Sequence, residues 1–261
     1  MTLTVPHYTI EDLAECGWRT ETIEQPNGTT STVQIPLTPE EFLHPEEGYH
    51  LPNSTFHDNT AGDAKDILAR RYANNPSTAV FRDLIIRWGR GDLKDHCPDT
   101  CVVFGVQNKE ENRTEFLVKE EGVIPVLMIE VVSPRYRKED RETKVKQYAK
   151  AGVQEYVIFD RRRQRGEIID EVLGYRLVEG IYLPMVPDEE GMILCETVGL
   201  WMGLQEGKVV MIDRETGSRL LNSLELESRA TEAELRATEA ELRAQRLAEI
   251  LREQGIDPDR V

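Results

Sequence analysis

Three residues carry most of the chemistry that this sequence offers: Asp99, Glu130 and Lys144. Glu130 lies in the most apolar run of the chain, Ile124 to Val132, bounded by Gly122 and by Ser133-Pro134. Such a run suits a central strand covered on both faces, and strand alternation places Val126, Met128, Glu130 and Val132 on one side. A carboxylate there is costly, or stays protonated, unless a metal, a buried Arg or Lys, or exposure at the strand end compensates it. Asp99 lies 31 residues earlier, after Pro98, at the mouth of a second predicted strand, Thr100 to Phe104. Alone it reads equally as a Pro-Asp turn residue. Two carboxylates on neighbouring strand ends can share one hard cation, because Mg²⁺ is usually held by one or two carboxylates plus waters.

Lys144 follows on a helix predicted over Arg137 to Ala151 and ended by Gly152. Asp140, Lys144 and Tyr148 are spaced four apart and share one face of it. The pair Asp140–Lys144 reads either as an exposed ion pair worth about 0.3–0.5 kcal/mol, or as an ammonium leaning over the metal site. There it would orient a water and offset phosphate charge. Asp83, inside a predicted strand, is a possible third acid or simply a polar strand face. His57, opening a predicted helix, reads mainly as a capping or turn residue. Cys97 and Cys101, with His96 beside them, raise a zinc site, but no second Cys/His pair follows at ligand spacing. Glycine-rich phosphate loops, a serine nucleophile elbow and a His-Glu-x-x-His motif are all missing from the sequence.

The elements that must position these residues follow from breakers and periodicity. Thr38-Pro39-Glu40-Glu41 starts a short helix that Pro45 stops. Ala61, Ala64, Ile67, Leu68 and Tyr72 fall at helical spacing within Asp58 to Ala73. Ala79 to Trp88 and Glu155 to Phe159 read as strands, with weaker strand signals near Ile168, Tyr175 to Val178 and Ile193 to Trp201. The order from residue 58 is helix, strand, strand, strand, helix, strand, which predicts one α/β layer structure with a mixed sheet flanked by helices. Four segments are expected: an acidic arm or edge hairpin over 1–36, the α/β domain over 37–200, a connector over 201–220 and a helix over 221–256.

The formal net charge of −16 sits unevenly. Residues 1–64, 166–220 and 221–261 carry −10, −7 and −4, whereas 65–165 carries +5. Within the last stretch, 133–165 holds eleven basic and five acidic residues, including Arg161, Arg162, Arg163 and Arg165. A basic segment in an acidic chain is compatible with a polyanion site of modest, salt-sensitive affinity. The four cysteines (Cys16, Cys97, Cys101, Cys195) read as reduced thiols. No apolar run reaches the ~20 residues of a membrane span, and Met1 to Ile10 lacks a signal-peptide pattern. A cytoplasmic location is the expectation.

Near the C-terminus Arg229-Ala-Thr-Glu-Ala-Glu-Leu235 recurs unchanged as Arg236 to Leu242. The seven-residue period and strong helix formers predict a helix, either solvated alone or paired as a coiled coil in a homodimer.

Pro98-Asp99, then Ile129-Glu130-Val131-Val132-Ser133-Pro134, then Asp140-x-x-x-Lys144-x-x-x-Tyr148-Ala-Lys-Ala-Gly-Val-Gln-Glu155-Tyr156 resembles the Uma-two-type restriction endonuclease family of the PD-(D/E)XK nuclease superfamily. The likeness covers roughly 37–200. It implies a restriction-endonuclease-like αβββαβ core and Mg²⁺-dependent (or Mn²⁺-dependent) hydrolysis of phosphodiester bonds in nucleic acid, DNA before RNA. By the same resemblance Asp99, Glu130 and the Val131 carbonyl would hold the metal, and Asp99, Glu130 and Lys144 would be catalytic. The basic cluster Arg161 to Arg165, read from the charge pattern itself, would meet backbone phosphates. The superfamily pattern wants a lysine two residues after the glutamate, where this chain has Val132. The family's displaced lysine then corresponds to Lys144. A nuclease fold that binds nucleic acid or assembles without cutting is the alternative.

Overall fold

The helices of the N-terminal part start on the capping residues that their sequence supplies. In the computed structural model, which describes residues 8–25, 28–254 and 258, Thr9 caps α1 (Ile10–Cys16). The hairpin β1 (Trp18–Glu24) and β2 (Thr30–Pro36) follows, and Thr38 then caps α2 (Pro39–Leu43). Both threonines form capping boxes with the third helical residue, satisfying amides that would otherwise lack partners. The predicted arm is therefore, over its described residues, a helix and a hairpin that forms its own two-stranded sheet. The Tyr136 hydroxyl ties it down, lying 2.7 Å from the carbonyl oxygens of both Cys16 and Leu37. Residues 1–7 and 26–27 of that arm lie outside the described residues.

Ser54 caps α3 (Thr55–Arg71), and β3 (Thr78–Phe81) follows. The strand expected over Ala79 to Trp88 is broken. Asp83 adopts φ 50°, a left-handed conformation that aspartate tolerates better than most residues, and the chain resumes as β4 (Ile85–Arg87). Next come β5 (Thr100–Phe104), β6 (Glu115–Leu117), the short α4 (Val118–Glu121) and β7 (Pro125–Val131). A π-helical turn over Glu139–Thr143 leads into α5 (Lys144–Ala151), which Gly152 ends in the left-handed conformation. Then come β8 (Glu155–Gln164), β9 (Glu167–Val178) and β10 (Ile181–Pro184). The main sheet has the order β10-β9-β8-β7-β5-β3; only β7 and β8 run parallel, joined through α5, and the sheet is mixed as predicted. The sequence α3-β3-β5-β7-α5-β8 reproduces the αβββαβ order.

The segment expected to be a connector is part of the core. It carries β12 (Leu200–Gln205), β13 (Lys208–Asp213) and β14 (Arg219–Leu220), which join β11 (Ile193–Cys195) in a four-stranded antiparallel sheet. Met202, Val209 and Met211 are buried in one cluster with Leu127 and Ile129 of β7 and with Ala61, Ala64 and Leu68 of α3. Two strands separated by a Gly207 turn could bury a face here, so the domain runs to 220 rather than 200. A second cluster on the other side of the main sheet joins Met128 and Val132 to Tyr148 of α5, and to Ile86 and Phe116 of the β4–β6 pair.

Residues to Leu220 form one compact unit and residues from Leu221 another. The second is α6 (Ser223–Glu253), started by an Asn222–Glu225 capping box. Of the helix predicted to 256, residues 255–256 lie outside the described residues. Among the described residues no helix is long and apolar enough to cross a membrane. Because both buried clusters lie before 221, deletion of 222–261 is expected to leave a cooperatively melting protein. Circular dichroism of the truncated chain checks this, and loss of the cooperative transition would show that the core needs the helix.

Candidate active site

The start of β5 and the end of β7 meet because the two strands are antiparallel, with Thr100 opposite Ile129. That register sets Asp99 across from Glu130. Asp99 Oδ2 accepts a hydrogen bond from the Val131 amide at 2.6 Å, which fixes the carboxylate against the strand end. The two predicted acids therefore converge. Both are almost fully buried, yet both line an open cleft of about 400 Å³ together with Val131, Lys144, His57, Asp83 and Arg82.

Lys144 enters from the opposite layer. Its Nζ lies 3.1 Å from Glu130 Oε2 and 2.9 Å from Asp140 Oδ1, and Tyr148 donates from its hydroxyl to Glu130 Oε1 at 2.6 Å. The shared helical face read from the sequence is thus aimed at Glu130. The exposed-pair reading of Asp140–Lys144 is overturned: Lys144 retains 4% of its exposure and Asp140 1%. The ring of Phe42, from α2, covers the ammonium at 4.8 Å. Behind α5 a relay of side chains sets its position. The Trp88 indole donates to His96 Nδ1 and His96 Nε2 meets Gln147, both at 2.9 Å. His96 is thereby committed to the core, and Cys101, buried within β5, has its thiol pushed up to about 12 by that burial.

His57 is the residue whose role the sequence hid. Its amide donates to the Ser54 cap, as expected of a helix start, but its ring Nε2 lies 3.1 Å from Asp99 Oδ2. Spacing held the clue: His57, Ala61, Ala64 and Leu68 share one helical face, and the last three are core. Asp83, at the strand break, stands on the cleft rim rather than in a strand. The arginine cluster is only partly available. Strand β8 continues through Arg161 and Arg162, which pair with Asp170 and Glu171 across the β8–β9 hairpin, whereas Arg163 and Arg165 stay exposed.

The electrostatics follow from too few cations. Burial, reinforced by Asp99 and Asp140 and only partly offset by Lys144, lifts the Glu130 carboxyl to about 8. Burial likewise lifts Asp140 to about 6. Burial works against the charged forms of Lys144 and His57, but neighbouring carboxylates win. Asp140, Glu130 and Asp99 hold the Lys144 ammonium well above the usual lysine range, and Asp99 raises His57 to about 8. His57 in turn keeps Asp99 below its ordinary value despite burial.

These values fix a sign. Folded Glu130 and Asp140 keep protons that the unfolded chain loses near pH 4, and His57 keeps one that it loses near 6.5. The metal-free protein is therefore expected to lose stability as pH rises from about 5 to about 8. Glu130→Gln should flatten this slope and raise the melting temperature at pH 8. Thermal melts in EDTA read both, and equal slopes in the two proteins would contradict the assignment.

Whether a metal fits can be judged from the donors. Among the described residues no group of three or more His, Cys, Asp or Glu side chains is arranged to hold an ion. The cleft instead offers the carboxylates of Asp99 and Glu130, with Val131 also in its lining, and hard oxygens of this kind are completed by waters around Mg²⁺. Each Glu130 oxygen accepts one partner and keeps a second lone-pair direction. Once Glu130 gives up its proton, three buried carboxylates stand against Lys144 and His57, and a divalent cation taking the proton's place would neutralise the surplus. The residues fit the ion.

The model of a family described as "Uma2: Putative restriction endonuclease" matches residues 49–205. The chain belongs to this family. The match spans the whole αβββαβ core with Asp99, Glu130 and Lys144, and it begins after α2, so Phe42 comes from outside the matched stretch. A solved structure described as a putative nuclease belonging to DUF820, from Anabaena variabilis ATCC 29413, is similar at 16% identity and a TM-score of 0.41. It is covered over 79% of its length by 64% of this chain. Comparison with curated proteins finds no match.

Proposed function

We propose that this Uma2-family protein is a Mg²⁺- or Mn²⁺-dependent endonuclease that hydrolyses phosphodiester bonds in nucleic acid, DNA in preference to RNA. The observation that carries the reading is the meeting of Asp99, Glu130 and Lys144 at the joined ends of β5 and β7, open to one cleft. Asp99, Glu130 and the Val131 carbonyl would hold the cation. When bound, it supplies polarisation of the scissile phosphate and a lowered pKa for a coordinated water.

The chain's own groups do the rest. Lys144, permanently charged and fixed by Glu130 and Asp140, offsets charge that builds on the phosphate and orients the attacking water. Tyr148 holds the Glu130 carboxylate in place, and His57 does the same for Asp99. Arg163 and Arg165, exposed at the end of β8 and in the turn after it, are the members of the arginine cluster left for backbone phosphates.

A non-catalytic nucleic-acid-binding or assembly module is the second reading. It is favoured by the net charge of −16 and by Arg161 and Arg162 being spent on internal ion pairs. Labelled DNA and RNA oligonucleotides of one sequence, single-stranded and duplex, separate the two. Cleavage products with Mg²⁺ and none with EDTA, earliest from DNA, are the expected result. Salt-sensitive retention without any product would establish the module instead.

A further inference from the structure

Helix α6 runs unbroken from Ser223 to Glu253, and within its own unit none of its residues is buried. Its sequence sorts into heptads along the small-residue seam. Ala230, Ala237, Ala244 and Leu251 take the a positions, and Leu226, Ala233, Ala240 and Leu247 the d positions. The flanks of that seam are then uniform. Every g position from 229 to 243 is arginine (Arg229, Arg236, Arg243), and every e position from 227 to 241 is glutamate (Glu227, Glu234, Glu241).

Uniform flanks of opposite sign select both the partner and its direction. In a parallel pair, each g residue faces the e residue five positions on in the other helix. Arg229 then meets the partner's Glu234 and Arg236 meets the partner's Glu241, and symmetry repeats both contacts. An antiparallel pair would set g against g and e against e, arginine on arginine and glutamate on glutamate. The competing stripe through Leu224, Leu235 and Leu242 is interrupted by Ser228, Thr231 and Thr238 and is lined by glutamates on both sides, so it repels its own copy. Alanine at the seam lets two helices approach closely, the arginine and glutamate stems cover it, and leucines anchor each end.

We infer that α6 is one strand of a parallel two-stranded coiled coil whose other strand is a second copy of this chain. An arginine flank and a glutamate flank set its polarity. The two copies of the preceding unit then attach at the same end of the coil.

Full-length protein is expected to sediment as a dimer. Arg229→Glu/Arg236→Glu/Arg243→Glu, acidic on both flanks, should self-associate at least ~10-fold more weakly, as should Glu227→Arg/Glu234→Arg/Glu241→Arg, basic on both. An equimolar mixture of the two should recover the dimer, which also shows that neither variant has simply lost its helix. Ala230→Cys reports direction: mild oxidation of the full-length protein should link 230 to 230, located by mass spectrometry of the peptides. A monomeric parent, a dimer that survives both charge reversals, variants that fail to re-pair on mixing, or a dimer without the 230–230 link would each overturn the inference.

Discussion

Lys144→Ala is expected to slow phosphodiester cleavage by ~10²-fold or more and to destabilise the protein in the same step. The second effect follows from burial. With its ammonium 3.1 Å from Glu130 and 2.9 Å from Asp140, Lys144 is the nearest cation to two carboxylates that water hardly reaches. Breaking a buried pair by removing one partner costs about 3–5 kcal/mol, far above the value of a surface pair. A lost rate alone would therefore be ambiguous. Adding Asp140→Asn removes one of the stranded charges, so the double variant should recover much of the melting temperature but none of the rate. Lys146→Ala, on an exposed position of the same helix, should match the parent in both. Plasmid nicking rates and thermal melts of the four proteins give the answer. Parent-like cleavage by Lys144→Ala would reduce Lys144 to a structural counter-ion.

Asp99→Asn should abolish tight Mn²⁺ binding in calorimetry and cleavage with it. The substitution keeps size and an oxygen for the Val131 amide but deletes the charge that a hard cation needs. It also removes the partner that raises His57, whose ring should then titrate below its value in the parent. Nuclear magnetic resonance titration of His57 tells a folded, metal-deficient site from a collapsed one. Equal Mn²⁺ affinity in parent and variant would move the metal elsewhere.

The parts of this site that the sequence displayed are those where one residue type contradicts its surroundings. Glu130 stood out as a charge inside an apolar run, and Lys144 aligned with Asp140 and Tyr148 by helical spacing alone. Asp99 followed from the proline that opened its strand. What stayed hidden depended on contacts between distant segments. His57 looked like a helix-start residue and is one, but its ring reaches a strand 42 positions later. The depth of Asp140 and Lys144 was invisible because Phe42, from an N-terminal helix, supplies part of the cover. Residues 201–220 gave little strand signal because glycines interrupt them, and only the cluster formed with β7 and α3 makes them core. The break at Asp83 reflects a backbone conformation that alternation of apolar residues does not report.

The central claim, that Asp99 and Glu130 serve a metal-dependent nuclease, is tested most directly by the nicking of supercoiled plasmid. The parent protein should convert it to the open-circular form with Mg²⁺ or Mn²⁺ and not with EDTA, and Asp99→Asn should leave it supercoiled under every condition. Cleavage that persists in EDTA, or that Asp99→Asn retains at the parent rate, would contradict the account.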